Sequence, residues 1–76
     1  MKQVSEMPTS GQFVAVFQRF GFVEVRSYEF SDINPSVVYV IDQNNSDGDG
    51  KYKDKIPVDF INYFFASQKA TFFIAD

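Results

Sequence analysis

The feature that most constrains this chain is the lack of any covalent or metal staple, because its 76 residues include neither cysteine nor histidine. A domain of this size buries only about 60% of the surface that its unfolded chain exposes. Many such domains add disulfides or a zinc site to compensate. Here the stability must come from apolar packing, and the length predicts a single domain over residues 1–76.

Aromatic side chains dominate the apolar part of the sequence, with ten Phe and four Tyr but no Trp. Each buried ring removes roughly 150–250 Å² from water, and a core this small cannot easily use fourteen of them. We therefore expect an aromatic surface that binds a protein partner or forms a homodimer, rather than rings scattered over the surface. The candidate binding residues are Phe22, Tyr28, Phe30, Tyr39, Tyr52 and Tyr63.

Residues 11–20 decide the topology, because they fit either a helix or the first arm of a β-hairpin. As a strand, this segment would have no polar face, whereas Gly21 stands where a left-handed residue commonly ends a helix. We predict a helix, whose apolar side would comprise Phe13, Val16, Phe17 and Phe20. The alternative is a hairpin over residues 11–30 with a single C-terminal helix.

The rest of the chain gives clearer patterns. Alternation over residues 22–30, a β-branched run over 36–41 and the closing segment 70–75 each predict a strand. A helical pattern over 57–68 begins at Pro57, a residue suited to a first helical turn. The expected fold is α+β, a small two-layer sandwich of two helices on an antiparallel sheet in αββαβ order. It becomes ferredoxin-like βαββαβ if a weak strand forms in residues 1–8, which are otherwise expected to be disordered.

Residues 42–55 form a polar segment, predicted to be an acidic and lysine-rich loop or an edge hairpin. Its alternating acids and amides match the first half of a calcium-binding EF-hand loop, with Asn45, Asp47 and Asp49 as candidate ligands. The second half does not match, because Ile56 stands where a bidentate Glu is required. We therefore predict no metal site and no cofactor.

Charge and composition exclude further classes of function. A net charge of −3 argues against nucleic acid as a partner, since phosphate binding needs an excess of Lys and Arg. No apolar run is long enough to span a membrane or to act as a signal peptide, so a cytoplasmic location is expected. The ten acidic residues include no pair that spacing singles out for acid and base catalysis. We expect a chain that is not an enzyme.

The segment Phe20-Gly21-Phe22-Val23-Glu24-Val25 resembles the helix-to-strand corner of ACT-type regulatory domains and of many acyltransferases. The resemblance implies an alternative function, a small-ligand or calcium-responsive regulatory domain of ACT-like architecture. Our leading hypothesis is a non-enzymatic protein-binding domain of the inhibitor or adaptor type. Its size also fits the accessory proteins of phages and other mobile elements.

Overall fold

The structure, a computed structural model, describes residues 1–42 and 51–76. The described residues form strands and one helix in the order β1 (Lys2–Val4), β2 (Gln12–Arg19), β3 (Phe22–Phe30), β4 (Val37–Ile41), β5 (Tyr52–Pro57), α1 (Val58–Gln68) and β6 (Thr71–Ile74).

The strands form a single sheet in the order β1-β6-β2-β3-β4-β5, and all neighbouring strands are antiparallel. Strands β2 to β5 follow one another across the sheet. The chain then crosses back through α1, and β6 inserts between β1 and β2. We call the side of the sheet that packs on α1 the helix face and the opposite side the open face.

The predicted helix over residues 11–20 is wrong, because these residues form β2, which pairs with β3 from Gln12↔Glu29 to Arg19↔Phe22. The two-helix ferredoxin-like sandwich is therefore wrong as well. The alternative hypothesis, a β-hairpin followed by a single C-terminal helix, fits the structure better. A hairpin turn occupies the Phe20-Gly21 junction, so the resemblance to a helix-to-strand corner does not extend to the structure.

Strand β2 has apolar side chains on both faces, which explains the error. Phe13, Ala15 and Phe17 point to the helix face and are buried, whereas Val14 and Val16 between them lie on the open face and are partly exposed. A central strand is compatible with two apolar faces. β-Branched and aromatic residues also favour strands over helices.

An aromatic cluster fills the space between α1 and the helix face. The ring of Phe65 lies at its centre, with its centroid 5.4 Å from both Tyr28 and Phe72 and 5.6 Å from Phe17. Burial raises the pKa of the Tyr28 hydroxyl. The buried core comprises Phe13, Ala15, Phe17, Tyr28, Phe30, Val38, Val40, Ile61, Phe65 and Phe72.

Residues at the two ends of α1 determine where the helix begins and where it ends. Pro57 is the last residue of β5 and the N-cap of the helix, and Asp59 in the first turn complements the positive end of the helix dipole. At the other end Lys69 adopts a left-handed conformation, and its N–H donates to the carbonyl of Ala66. The helix therefore runs directly between two strands with almost no loop.

The β2–β3 turn consists of Phe20 and Gly21, both with positive φ, at +53° and +80°. This is the geometry of a type I′ turn, which Asn-Gly suits best. A phenylalanine in the left-handed region is strained by roughly 1–2 kcal/mol. Its ring is 85% exposed, and its only described ring contact is with the guanidinium of Arg19, 5.2 Å from the ring centroid.

We expect Phe20→Asn to stabilise the protein by about 0.5–1 kcal/mol, because relief of the backbone strain exceeds the loss of the exposed cation–π contact. Such a gain raises Tm by about 4–8 °C per kcal/mol in a domain of this size. Thermal unfolding followed by circular dichroism measures the change in Tm. Gly21→Ala is the opposing control and should lower Tm, since alanine is strained at φ +80°. A lower Tm for Phe20→Asn would contradict the turn assignment.

Candidate functional site

The structure separates the six candidate binding residues. Tyr28 and Phe30 lie in the core at 1% and 6% exposure, so neither can contact a partner directly. Phe22 is exposed beside the β2–β3 turn, and Tyr63 is exposed on the outward side of α1. Only Tyr39 and Tyr52 lie together, with ring centroids 4.8 Å apart.

The two tyrosines belong to a larger apolar surface on the open face. Strand register shows this directly, since paired residues of neighbouring strands point to the same side of a sheet. Val14 pairs with Phe73 on one side, and Val16 pairs with Val25 on the other. The apolar side chains of the open face include Val14, Val16, Val23, Val25, Tyr39, Ile41, Tyr52 and Phe73.

None of these eight side chains is buried. Val23, Val25 and Tyr52 are 66%, 61% and 38% exposed, and the other five are partly exposed. In residues 1–42 and 51–76, the only helix packs on the other side of the sheet. The open face therefore presents to solvent aliphatic and aromatic side chains drawn from five strands, with Ser27 and Glu29 of β3 among them.

Polar side chains also lie on the open face, where Glu29 of β3 stands between Gln12 of β2 and Tyr39 of β4, and Lys55 pairs with Tyr39. The Gln12 amide donates a hydrogen bond to Glu29 Oε1 at 2.8 Å, and the Lys51 ammonium lies 3.4 Å from the same oxygen. The Gln12 amide, with smaller contributions from the Tyr52 hydroxyl and Lys51, holds the pKa of Glu29 below its ordinary value. Glu29 in turn raises the pKa of Lys51. This arrangement holds the Glu29 carboxylate on the open face, and the lowered pKa makes it a weaker base.

The open face also has a concavity of about 440 Å³ that extends to the end of β6, lined in part by Val14, Ser27, Ile41, Lys51 and Phe73. A second cavity of about 740 Å³ lies between α1 and residues 6–9, above the core rings of Phe30, Phe65 and Phe72. Both are open to solvent, and most of the side chains named here as lining them are apolar. Ser27 and Lys51 both line the first concavity, where Lys51 forms an ion pair with Glu29.

Metal binding receives no support from the part of the chain that the structure covers, where no three acidic side chains come close enough to hold an ion. The calcium candidates Asn45, Asp47 and Asp49 lie outside the described residues.

Our sequence interpretation did not include the valines of the open face. The signal was present in β2, where an apolar residue occupies every position from Phe13 to Phe17. When only one face of a sheet is covered by another layer, a strand of this kind makes the uncovered face apolar as well. We took this pattern as evidence for a helix.

No helix in the described ranges has the length and apolarity needed to cross a lipid bilayer. Comparison with known proteins gives no assignment, because no family model, no curated protein and no solved structure matches the chain. Evidence on function therefore comes from the geometry of the open face.

Proposed function

We propose that this chain is a non-enzymatic protein-binding domain, of the inhibitor or adaptor type, which binds its partner through the open face of the sheet. One observation carries the proposal: eight apolar side chains of this face, drawn from five strands, are left uncovered by every element that the structure describes. Large exposed apolar patches on small domains usually mark protein contacts.

The distribution of polar groups supports the proposal. Protein interfaces have an apolar centre depleted in charge and a polar rim. On the open face the paired positions Val14↔Phe73 and Val16↔Val25 form the centre. Glu29 and Lys51 lie between this centre and the Tyr39–Tyr52 pair, and each charge is paired with the other.

The exposed aromatic rings that lie outside the open face give the proposal less support. Phe60 and Tyr63 lie on α1, and Phe20 and Phe22 lie at the β2–β3 turn, so they do not extend the apolar surface of the open face. The proposal therefore rests on aliphatic side chains as much as on aromatic ones. It places the domain in the cytoplasm, where a fold without disulfides loses nothing in reducing conditions.

Affinity capture from an extract of the native host tests this function with two matched variants. Val16→Lys puts a charge in the centre of the open face, and Tyr63→Lys makes the same change on the outward side of α1. We expect the captured protein to be retained by the unaltered domain and by Tyr63→Lys, and to be lost with Val16→Lys, because a buried unpaired lysine opposes binding.

Circular dichroism spectra must first show that both variants are folded. If the three baits then retain the same proteins in the same amounts, the open face is not the binding surface and the proposal fails.

A further inference from the structure

We infer that the Asp54 carboxylate closes the outer edge of β5 to strand addition, by occupying the backbone N–H that an added strand would need. The inference concerns the edge of the sheet and goes beyond the proposed function of its open face. It rests on the position of β5, the direction of its backbone groups and the contact that Asp54 makes.

Strand β5 is the longer of the two edge strands. In the described residues β5 pairs with β4 alone and β1 pairs with β6 alone. Strand β1 has three residues and β5 has six. A very short edge strand gives little template for another strand, whereas a longer one exposes a row of unpaired N–H and C=O groups. Protection against strand addition is therefore needed most at β5.

Backbone hydrogen bonds show which groups of β5 face outward. The Val58 N–H donates to the Ser36 carbonyl at 2.8 Å, one step beyond the Val37↔Pro57 pair. Hydrogen-bonded and non-hydrogen-bonded pairs alternate along an antiparallel ladder, so Pro57 and Lys55 direct their backbone groups away from β4. Proline has no N–H. The Lys55 N–H is therefore the donor that residues 54–57 would offer to an added strand.

The Asp54 side chain occupies this donor. Its Oδ1 atom accepts a hydrogen bond from the Lys55 N–H at 2.8 Å. A hydrogen bond to a carboxylate is stronger than one between neutral groups, and the carboxylate would also repel the carbonyl oxygen of an incoming strand. Aspartate is depleted in strands, so its presence in the middle of β5 fits a protective role better than a preference for extended backbone.

The neighbouring side chains add to this protection. Lys53 and Lys55 flank Asp54, and all three residues are exposed. A second β5 strand would bring its own lysines against those of the first, and lysine on a sheet edge is a common device against such pairing. The lysines make the approach of another copy unfavourable, whereas Asp54 denies it a hydrogen bond.

Amide hydrogen exchange followed by NMR tests the contact that Asp54 makes. We expect the Lys55 amide to exchange at least about tenfold faster in Asp54→Ala than in the unaltered protein, because a hydrogen bond to a charged group is lost. Asp54→Asn keeps an oxygen that can accept the bond and should retain most of the protection. The Ile56 amide, which faces β4, is the internal control and should exchange at the same rate in all three proteins. Equal rates for the Lys55 amide in Asp54→Ala and the unaltered protein overturn the inference.

Sedimentation velocity of the folded proteins at one concentration tests the consequence for assembly. Asp54→Ala should raise the associated fraction at least about threefold over the unaltered protein, because the Lys55 N–H becomes free to pair. Asp32→Ala removes the same charge from an exposed position between β3 and β4 and should change nothing. Asp54→Val, which favours a strand more than alanine does, should associate as Asp54→Ala does, so that a weakened strand cannot explain the effect. If Asp54→Ala associates no more than Asp32→Ala, or if Asp54→Asn associates as strongly as Asp54→Ala, the hydrogen bond of Asp54 does not close the edge.

Discussion

Phe65→Ala is expected to lower the free energy of unfolding by about 3–5 kcal/mol, which is most of the stability available to a chain of this length. The Phe65 ring is 1% exposed and contacts five other rings of the cluster at centroid distances of 5.4–6.4 Å. The chain has no cysteine and therefore no disulfide to hold it. Loss of the ring leaves a cavity and removes the contacts of Phe65 between α1 and the sheet.

Urea unfolding followed by circular dichroism measures this loss. Phe60→Ala is the matched control, since Phe60 lies on the same helix but is 61% exposed, and its removal should change stability by no more than about 0.5 kcal/mol. Equal losses in the two variants would mean that α1 does not pack on the sheet through Phe65.

Ala15→Leu should destabilise the protein by about 1–3 kcal/mol through overpacking. Ala15 is completely buried on the helix face, between Phe13 and Phe17 along β2. The Phe65 ring contacts both of these phenylalanines, so the small side chain of Ala15 leaves the space that the ring occupies. Three additional carbon atoms at this position push the helix away from the sheet.

The same urea titration measures the effect of Ala15→Leu. Ala66→Leu adds the same atoms at an exposed position of α1 and should change stability by no more than about 0.5 kcal/mol. If Ala15→Leu stabilised the protein, the space above Ala15 would be empty rather than filled by the Phe65 ring.

Several elements were predictable because local chemistry determines them. Pro57 and Asp59 mark the start of α1, and the apolar positions Ile61 and Phe65 are buried as the helical periodicity requires. The alternation in residues 22–30 predicts a strand, and β3 occupies those residues. In each case the local preference and the final environment agree.

Strand β2 was not predictable in the same way, because its pattern fits two structures. A helix places Phe13, Val16 and Phe17 on one side, whereas a strand needs an apolar environment on both sides of the sheet. Sequence alone does not say that such an environment exists. The Phe20-Gly21 turn misled the interpretation further, since phenylalanine is rare at a position with positive φ and nothing in its chemistry indicates a tight turn.

The candidate site was predictable only in outline. The excess of aromatic residues suggested an exposed contact surface, and Tyr39 and Tyr52 lie on the open face. Tyr28 and Phe30 belong to the same excess of aromatic residues. The alternation of β3 places them on the helix face, where they are buried. Which face a side chain occupies depends on strand register, and register depends on pairing with distant strands.

The position of β6 determines the order in which the sheet can assemble. In the described structure β1 pairs with β6 alone, and their partners Lys2 and Ile74 are more than seventy positions apart in the chain. Strands β2 to β4, by contrast, pair through hairpin neighbours. Loop closure over so long a separation is slow. The hairpins can therefore form early, whereas β1 has no strand to pair with until β6 is available.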